Sequence, residues 1–375
     1  MTQLILVPLE PLTERYTESW YRNFPPLFAQ AGFDVVVVDG EPLLHNEIRT
    51  GTFLDINSTV HYKMTQLQSI ARMFNDGEVA VGAVFFFSDI EFWGLESVRL
   101  LAQMNQVPIK MCGFLHAASY TVEDAFSVAA PYQQYTEMGW LVALDRVFVG
   151  SQYHKHAIES RRLIPQKLTA LLDRIKVTGN PIFLADYTLA PVPRAKKKKM
   201  LLTNRFDSEK RPGETMDLFE ELHDRFPDWE LVITTSRPTL RSNDPKLSAR
   251  AYALHRAGVV TVMEGLTKTE YHQQLQEAAI VVSHSIEENY GYCIAEALLY
   301  KALPLLRAGL SHDEFVNGDK RLLFHEHGHD DFTKACALMK AFGTAHWPRS
   351  LSLRVDGGHL IVNEVLKLAI EKGNA

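Results

Sequence analysis

The chain has 375 residues, 46% hydrophobic and 22% charged, with a formal net charge of −6. That is enough apolar material for two ordinary cores, so two domains are expected, and the acidic balance argues against a generic nucleic-acid binder. No apolar run reaches the roughly 18–20 residues of a membrane span, and Cys112, Cys293 and Cys336 are too widely spaced for a metal or redox motif.

The first ten residues carry no basic segment and read as a first strand rather than a signal peptide; a reducing cytoplasm is the expected setting. Strands then alternate with helices. Leu4–Val7 is predicted as a strand, Glu18–Ala31 as a helix and Asp34–Val38 as a second strand. A helix over Thr59–Phe74 precedes a strand at Val81–Phe87, which ends at Ser88-Asp89. Leu95–Met104 reads as a helix and Ile109–Leu115 as a strand ending at His116. Val147–Gly150 is a further strand, Lys155–Leu163 a helix and Ile175–Thr178 a strand. Short apolar runs between helical patterns imply a parallel sheet with helices on both faces.

Residues 188–199 are proline-bearing, basic and aperiodic, which places a linker at 191–199 between a first domain over 1–190 and a second over 200–358. Alternation restarts with strands at Met200–Thr203, Leu231–Thr235, Val259–Met263, Ile280–Val282, Leu303–Leu306 and Leu322–Phe324. Helices are predicted at Gly213–Arg225, Thr269–Ala279 and Asp331–Phe342, and a last one at Leu360–Glu371 within a terminal segment over 359–375. The fold class is therefore α/β, with two Rossmann-like doubly wound domains facing a central cleft and ligands at the carboxyl ends of the strands.

The most informative stretch runs from Ser283 to Glu296. Ala278 to Val282 is a buried parallel strand by composition, and Ile294, Ala295, Ala297, Leu298 and Leu299 fall at helical spacing. A loop carrying Glu287, Glu288 and Gly291 lies between them, so the helix presents its first N–H groups and positive dipole end to that loop. Such a place binds an anion, most often a phosphate. Glu288 and Glu296, eight apart, can face one ligand spanning the helix start. A second motif, Thr203 to Pro212, follows the first strand of the second domain. There Arg205 offers a bidentate fork and Lys210 a point charge, which together neutralise a diphosphate; the alternative is a solvated basic loop.

Glu288-x7-Glu296, with Glu-Asn-Tyr-Gly in place of the commoner Glu-Gly-Phe-Gly, resembles the donor-site signature of retaining, GT4-like glycosyltransferases of GT-B fold. The resemblance spans Met200 to about Phe342 and includes Arg205 and Lys210 in the same order ahead of the acidic pair. It implies a nucleotide-diphosphate sugar donor, UDP- or GDP-linked, and no metal or other cofactor. Lys210, Arg205 and the helix start at Tyr290, Gly291 and Tyr292 would take the diphosphate, Glu288 the sugar hydroxyls and Glu296 the ribose. Backbone groups around Gly265, in Met263-Glu264-Gly265-Leu266-Thr267, would hold the nucleobase. The last helix is expected to cross back to the first domain.

The first domain matches less. The loop after its first strand lacks the family's glycines, and Arg15 is the substitute it offers. His116 resembles a family histidine beside the donor sugar, against which stands a structural histidine. Asp89 is a candidate for the acceptor hydroxyl, or else a helix N-cap. His325, His327 and His329 could converge on a metal if they lay on a strand, but such a run before a helix is also an ordinary polar loop.

Between His154 and Lys199, eleven basic residues face three acidic ones, a net of +8 that leaves −14 elsewhere. The asymmetry suggests a patch for a polyanion, against a solvated linker and an ordinary helix face. The first domain is also similar to phage-encoded glycosyltransferases that decorate hydroxymethylated pyrimidines in DNA. The expected acceptor is a 5-hydroxymethyl base in double-stranded DNA, flipped towards Asp89 and His116. A saccharide or lipid-linked acceptor, a GT-B nucleotide-sugar epimerase and an inactive binding module are the other readings.

Overall fold

In the computed structural model, residues 1–13, 15–41, 55–121, 127, 130–187, 195–325, 329–343 and 351–371 are described, and the chain divides into two units: 1–184 with 354–375, and 185–353. The first unit contains β1 (Thr2–Val7), α1 (Tyr16–Gln30), β2 (Phe33–Val37), α2 (Ile56–Asn75), β3 (Val84–Phe87) and α3 (Leu95–Met104). It continues with β4 (Lys110–Phe114), α4 (Ala130–Ala143), β5 (Arg146–Val149), α5 (Gln152–Ile158) and β6 (Ile175–Val177). All six strands are parallel, in the order β2-β1-β3-β4-β5-β6.

The second unit contains β7 (Lys197–Leu202), α6 (Pro212–Arg225), β8 (Glu230–Thr234), α7 (Pro245–Arg256), β9 (Val260–Met263) and α8 (Lys268–Glu277). β10 (Ala278–Ser283), α9 (Tyr292–Leu299), β11 (Leu303–Arg307), α10 (His312–Phe315), β12 (Leu323–Phe324) and α11 (Asp330–Lys340) follow. Its sheet is also parallel throughout, in the order β12-β11-β10-β7-β8-β9. Every residue of β3 and of β10 is buried, which is why both read as unbroken apolar runs rather than alternating ones.

In each sheet the chain builds outward on one side and then returns to the other side of its first strand. The return falls between β1 and β3 in the first unit and between β7 and β10 in the second. Loops leaving such neighbouring strands diverge to opposite faces, which opens a crevice at the carboxyl edge.

The C-terminal helix α12 (Gly357–Ile370) belongs to the first unit. Ile361, Val362, Val365 and Leu368 are buried, and Arg146 pairs with Glu364 at 2.8 Å and Glu371 at 2.6 Å. Its start fits by a glycine: a Cβ on Gly357 would lie 2.9 Å from the carbonyls of both Gly179 and Asn180.

Several predicted boundaries shift. Val81, 76% exposed, sits in a turn with Gly82, so β3 begins at Val84. Ala278 and Ala279 open β10 instead of ending a helix, and Lys197–Lys199 belong to β7 rather than to a linker. The predicted helix Lys155–Leu163 begins earlier, as α5, and closes in a wider π turn over Glu159–Leu163. Two helices lack a clear signal. α4 exposes Tyr132, Tyr135 and Val142 while burying Trp140 and Leu141, so its apolar residues do not segregate to one face. In α7 only Ala251 and Leu254 are buried.

Candidate functional site

The predicted donor residues lie on the two loops that flank the switch point of the second sheet. After β7 the chain makes a short 3-10 turn at Ser208–Lys210; after β10 it runs through 284–291 into α9. The Ile286 N–H donates to the Glu209 carbonyl at 3.0 Å, which fixes one loop on the other. Lys210 Nζ is thereby placed 2.9 Å from Glu288 Oε2 and 3.1 Å from the Glu287 carbonyl. Burial favours the protonated form of Glu288, but Lys210, His312 and Arg205 outweigh it and hold the carboxyl below its ordinary range. Arg205 turns to Glu209 at 2.7 Å and Asp207 at 3.6 Å, with its side chain 40% exposed. Burial pushes Glu209 up in spite of Arg205 and Lys210.

A buried polar brace supports the loop. Asn204 donates to the Ser283 and Ser285 hydroxyls at 2.9 and 3.1 Å. His284, 2% exposed, lies between Thr215 on α6 and Asp331 on α11, at 2.9 and 3.3 Å. With Nε2–H donating to Asp331, Nδ1 accepts the Thr215 hydroxyl proton. Alternating Ser283-His284-Ser285 at a strand end was the available signal for this brace.

The turn into α9 depends on Gly291. Its φ is +90°, in the left-handed region, and a Cβ there would meet Glu288 Cγ at 3.2 Å. The first N–H groups of α9 have no partner within the helix and add a positive end to the loop. Tyr290 packs edge-on against Tyr292 and Phe315, at 5.5 and 5.4 Å, and its carbonyl accepts from Ser311 Oγ at 3.1 Å.

Glu296 lies one turn into α9, with its two carboxylate oxygens accepting from Tyr187 and Tyr271 hydroxyls, each at 3.0 Å. Burial raises its pKa, against the two tyrosines and Lys268. Neither tyrosine was anticipated, because both lie far from the motif in sequence. Near Gly265, the N–H groups of Gly265 and Leu266 donate to the Arg237 and Thr235 carbonyls at 2.7 and 3.2 Å. Both N–H groups are thus taken up within the protein, and the Thr235 N–H in turn donates to the Met263 carbonyl at 2.9 Å.

At the carboxyl edge of the first sheet, His116 Nε2 lies 2.9 Å from the Ser88 carbonyl, and its ring packs against Trp20 and Phe114, both at 4.9 Å. Burial lowers its pKa, against Asp89, so the neutral imidazole carries its proton on Nε2. Asp89 does not cap α3, whose N-cap is Gly94. One of its oxygens accepts the Glu91 N–H at 3.0 Å and the other meets Lys63 Nζ at 2.7 Å. Burial favours protonation of Asp89, but Lys63 and His116 keep it below its usual range. Lys63 was not foreseen; it lies on α2 with Thr59, whose hydroxyl donates to Glu10 at 2.6 Å. The glycine-free loop after β1 is thus closed by Glu10, with Arg15 at the start of α1.

The basic segment is not a free cationic tract. Lys197 and Lys199 converge on Glu277 at 2.9 and 3.1 Å, and Lys198 pairs with Asp228. Lys196 donates to the Leu275 and Tyr300 carbonyls, and burial brings its pKa down to about 8. Arg162 pairs with Glu137 at 2.8 Å, and Arg161 and Arg174 donate to backbone carbonyls. Arg194 and the middle of the histidine run, Glu326 to Gly328, lie outside the described residues. Among the described residues no three His, Cys, Asp or Glu side chains converge as metal ligands, and no helix is long and apolar enough to cross a membrane.

No protein-family profile and no curated protein sequence matches the chain. Solved structures do. The galactosyltransferase WaaB of the lipopolysaccharide outer core is 11% identical, over 99% of both chains, with a TM-score of 0.63. Sucrose-phosphate synthase from Thermosynechococcus elongatus is 14% identical, over 99% of this chain and 97% of its own, with a TM-score of 0.62. TarM of S. aureus, solved with fondaparinux, α-GlcNAc-glycerol and UDP, is 14% identical with a TM-score of 0.54. The match to TarM covers 82% of this chain and 59% of TarM, so the chain spans under two thirds of that protein's length. At such identities the likeness is one of fold: the chain has the GT-B fold of glycosyltransferases, with two Rossmann-like units.

Proposed function

We propose that the chain is a glycosyltransferase that moves a sugar from a UDP- or GDP-linked donor to a hydroxyl acceptor, with retention of anomeric configuration. The observation that carries this reading is the 2.9 Å Lys210–Glu288 pair at the switch point of the second sheet, against the first turn of α9. As the bond from anomeric carbon to phosphate oxygen breaks, negative charge grows on the diphosphate. Lys210, Arg205 and the α9 N-terminus stabilise it electrostatically, and no metal is needed for that task. Glu288 accepts hydrogen bonds from sugar hydroxyls and Glu296 from the ribose. His116 and Asp89 are assigned to the sugar and acceptor hydroxyls. Retention rests on the resemblance of Glu288-x7-Glu296 to the retaining family.

For the acceptor we favour a saccharide hydroxyl, in line with the saccharides bound to TarM. A 5-hydroxymethylpyrimidine in DNA is the second reading. The net +8 of residues 154–199 favours it, but the pairing of Lys197, Lys198 and Lys199 with Glu277 and Asp228 weakens it.

A thermal-shift panel of nucleotide sugars tests the donor, since a bound ligand raises stability by RT ln(1 + [L]/Kd). Radiolabelled donors offered to oligosaccharides and to hydroxymethylated DNA test the acceptor. Replacing Lys210 or Glu288 by Ala should lower transfer by about 10²–10³. Wild-type turnover by both variants would overturn the assignment, and release of free sugar without any acceptor would favour the epimerase.

A further inference from the structure

His312 opens α10, in the loop that leaves β11, the strand next to β10. It is completely buried. Its Nδ1 faces the Arg307 carbonyl at 3.4 Å, whereas Nε2 has no hydrogen-bond partner among the described residues. Burying a polar nitrogen without a partner is unfavourable, so its retention here asks for a role. The surrounding turn is built into the candidate donor site: Ser311 bonds the Tyr290 carbonyl, Phe315 packs on Tyr290, and a Cβ on Gly291 would touch the Phe315 ring at 3.6 Å. The charged groups around the imidazole are Glu288 and Lys210 on the loops after β10 and β7, and Asp313 in its own turn. Behind Lys210 lie Arg205 and Glu209.

Resting on the donor-site reading above, we propose that His312 is a further donor-binding residue: its Nε2 takes up a proton as the donor's diphosphate binds, and the imidazolium becomes an added cation of the site. In the free protein Nδ1–H donates to Arg307 and Nε2 is bare, because burial holds the ring neutral although Glu288 favours its charge. A diphosphate brings two negative charges beside the Lys210–Glu288 pair and draws on Lys210. Glu288 then keeps less of its counter-charge, and both effects favour a protonated His312. The proton comes from solvent, and no covalent bond changes.

The test is calorimetric titration of the full chain with UDP-glucose, UDP-N-acetylglucosamine and GDP-mannose, between about pH 6 and pH 8, in buffers of different ionisation enthalpy. These donors are diesters whose phosphates stay fully ionised across that range, so a change in bound protons belongs to the protein. The expected result is net proton uptake with a Kd that tightens as pH falls, up to about tenfold for each unit by which binding raises the His312 pKa. His312→Asn keeps a nitrogen for the Arg307 carbonyl and removes Nε2; its uptake and pH dependence should vanish. Glu209→Gln should keep both, which separates His312 from the carboxyl whose partner Arg205 the donor also engages. No uptake by the wild type, or unchanged uptake in a folded His312→Asn, overturns the proposal while leaving the donor site intact. Failure of every donor to bind the wild type overturns the donor-site reading and the proposal with it.

Discussion

Removing one partner of the Lys210–Glu288 pair should destabilise the protein, and removing both should cost much less. The Lys210 side chain is 11% exposed and that of Glu288 20%, so the survivor of a single substitution is left largely desolvated. Breaking a buried ion pair costs about 3–5 kcal/mol. Residual exposure of Glu288, and its freedom to take up a proton, reduce this for Lys210→Met to about 2 kcal/mol. With a urea slope of about 3 kcal/mol/M, the midpoint falls by about 0.7 M. Lys210→Met combined with Glu288→Gln should recover about 1–2 kcal/mol of the summed single losses, while sugar transfer stays lost. The pH dependence follows from the depressed Glu288 carboxyl. Its contribution is present above the unfolded pKa, about 4.3, and fades as pH falls through the folded value. The Lys210→Met deficit should therefore shrink on acidification, where an unpaired Glu288 is protonated. Urea titrations of the four proteins at neutral and acidic pH measure all of this. Strictly additive single losses would refute the coupling and, with it, the view that the two loops are held together through this pair.

Lys197 and Lys199 hold Glu277 down to about 2 despite its burial, so it should contribute stability above the unfolded pKa, about 4.3, that is lost as pH falls towards about 2; in Glu277→Gln the acid limb of a stability-versus-pH curve should flatten. Gly291→Ala places a side chain at φ +90° and against Glu288, so a loss of about 1–2 kcal/mol in chemical denaturation is expected, together with weaker donor binding in the thermal-shift panel. Gly357→Val sets new atoms against two carbonyls at 2.9 Å and should loosen α12 from the first unit, which limited proteolysis near the C-terminus would detect. Transfer should persist in EDTA, since the charges placed at the site are Lys210, Arg205 and a helix end; strict dependence on an added divalent ion would contradict this.

Much of this molecule is written locally. Each strand of a parallel sheet is buried on both faces, so short runs such as Val84–Phe87 and Ala278–Ser283 stand out without any knowledge of their neighbours. The alternation of those runs with helical patterns determined two doubly wound units, and the position of Glu288 between a strand and a helix marked the candidate anion site. Helices with blurred faces, α4 and α7, left no such trace. What only the tertiary structure decided is which side chains meet. Lys210 reaches Glu288 because β7 and β10 are adjacent, although the two residues are 78 apart in the chain. Tyr187 and Tyr271 close on Glu296, Lys63 on Asp89, and Ser311, beside His312, on the Tyr290 carbonyl, each from an element the motif does not contain. The basic run shows the same limit from the other side. Counted along the chain, Lys196–Lys199 look like a polyanion patch; in the fold Lys197 and Lys199 meet Glu277 and Lys198 meets Asp228, so three of them have a counter-charge of their own. Composition counts charges, but only the packing of strands against helices determines which of those charges solvent or a ligand can still use.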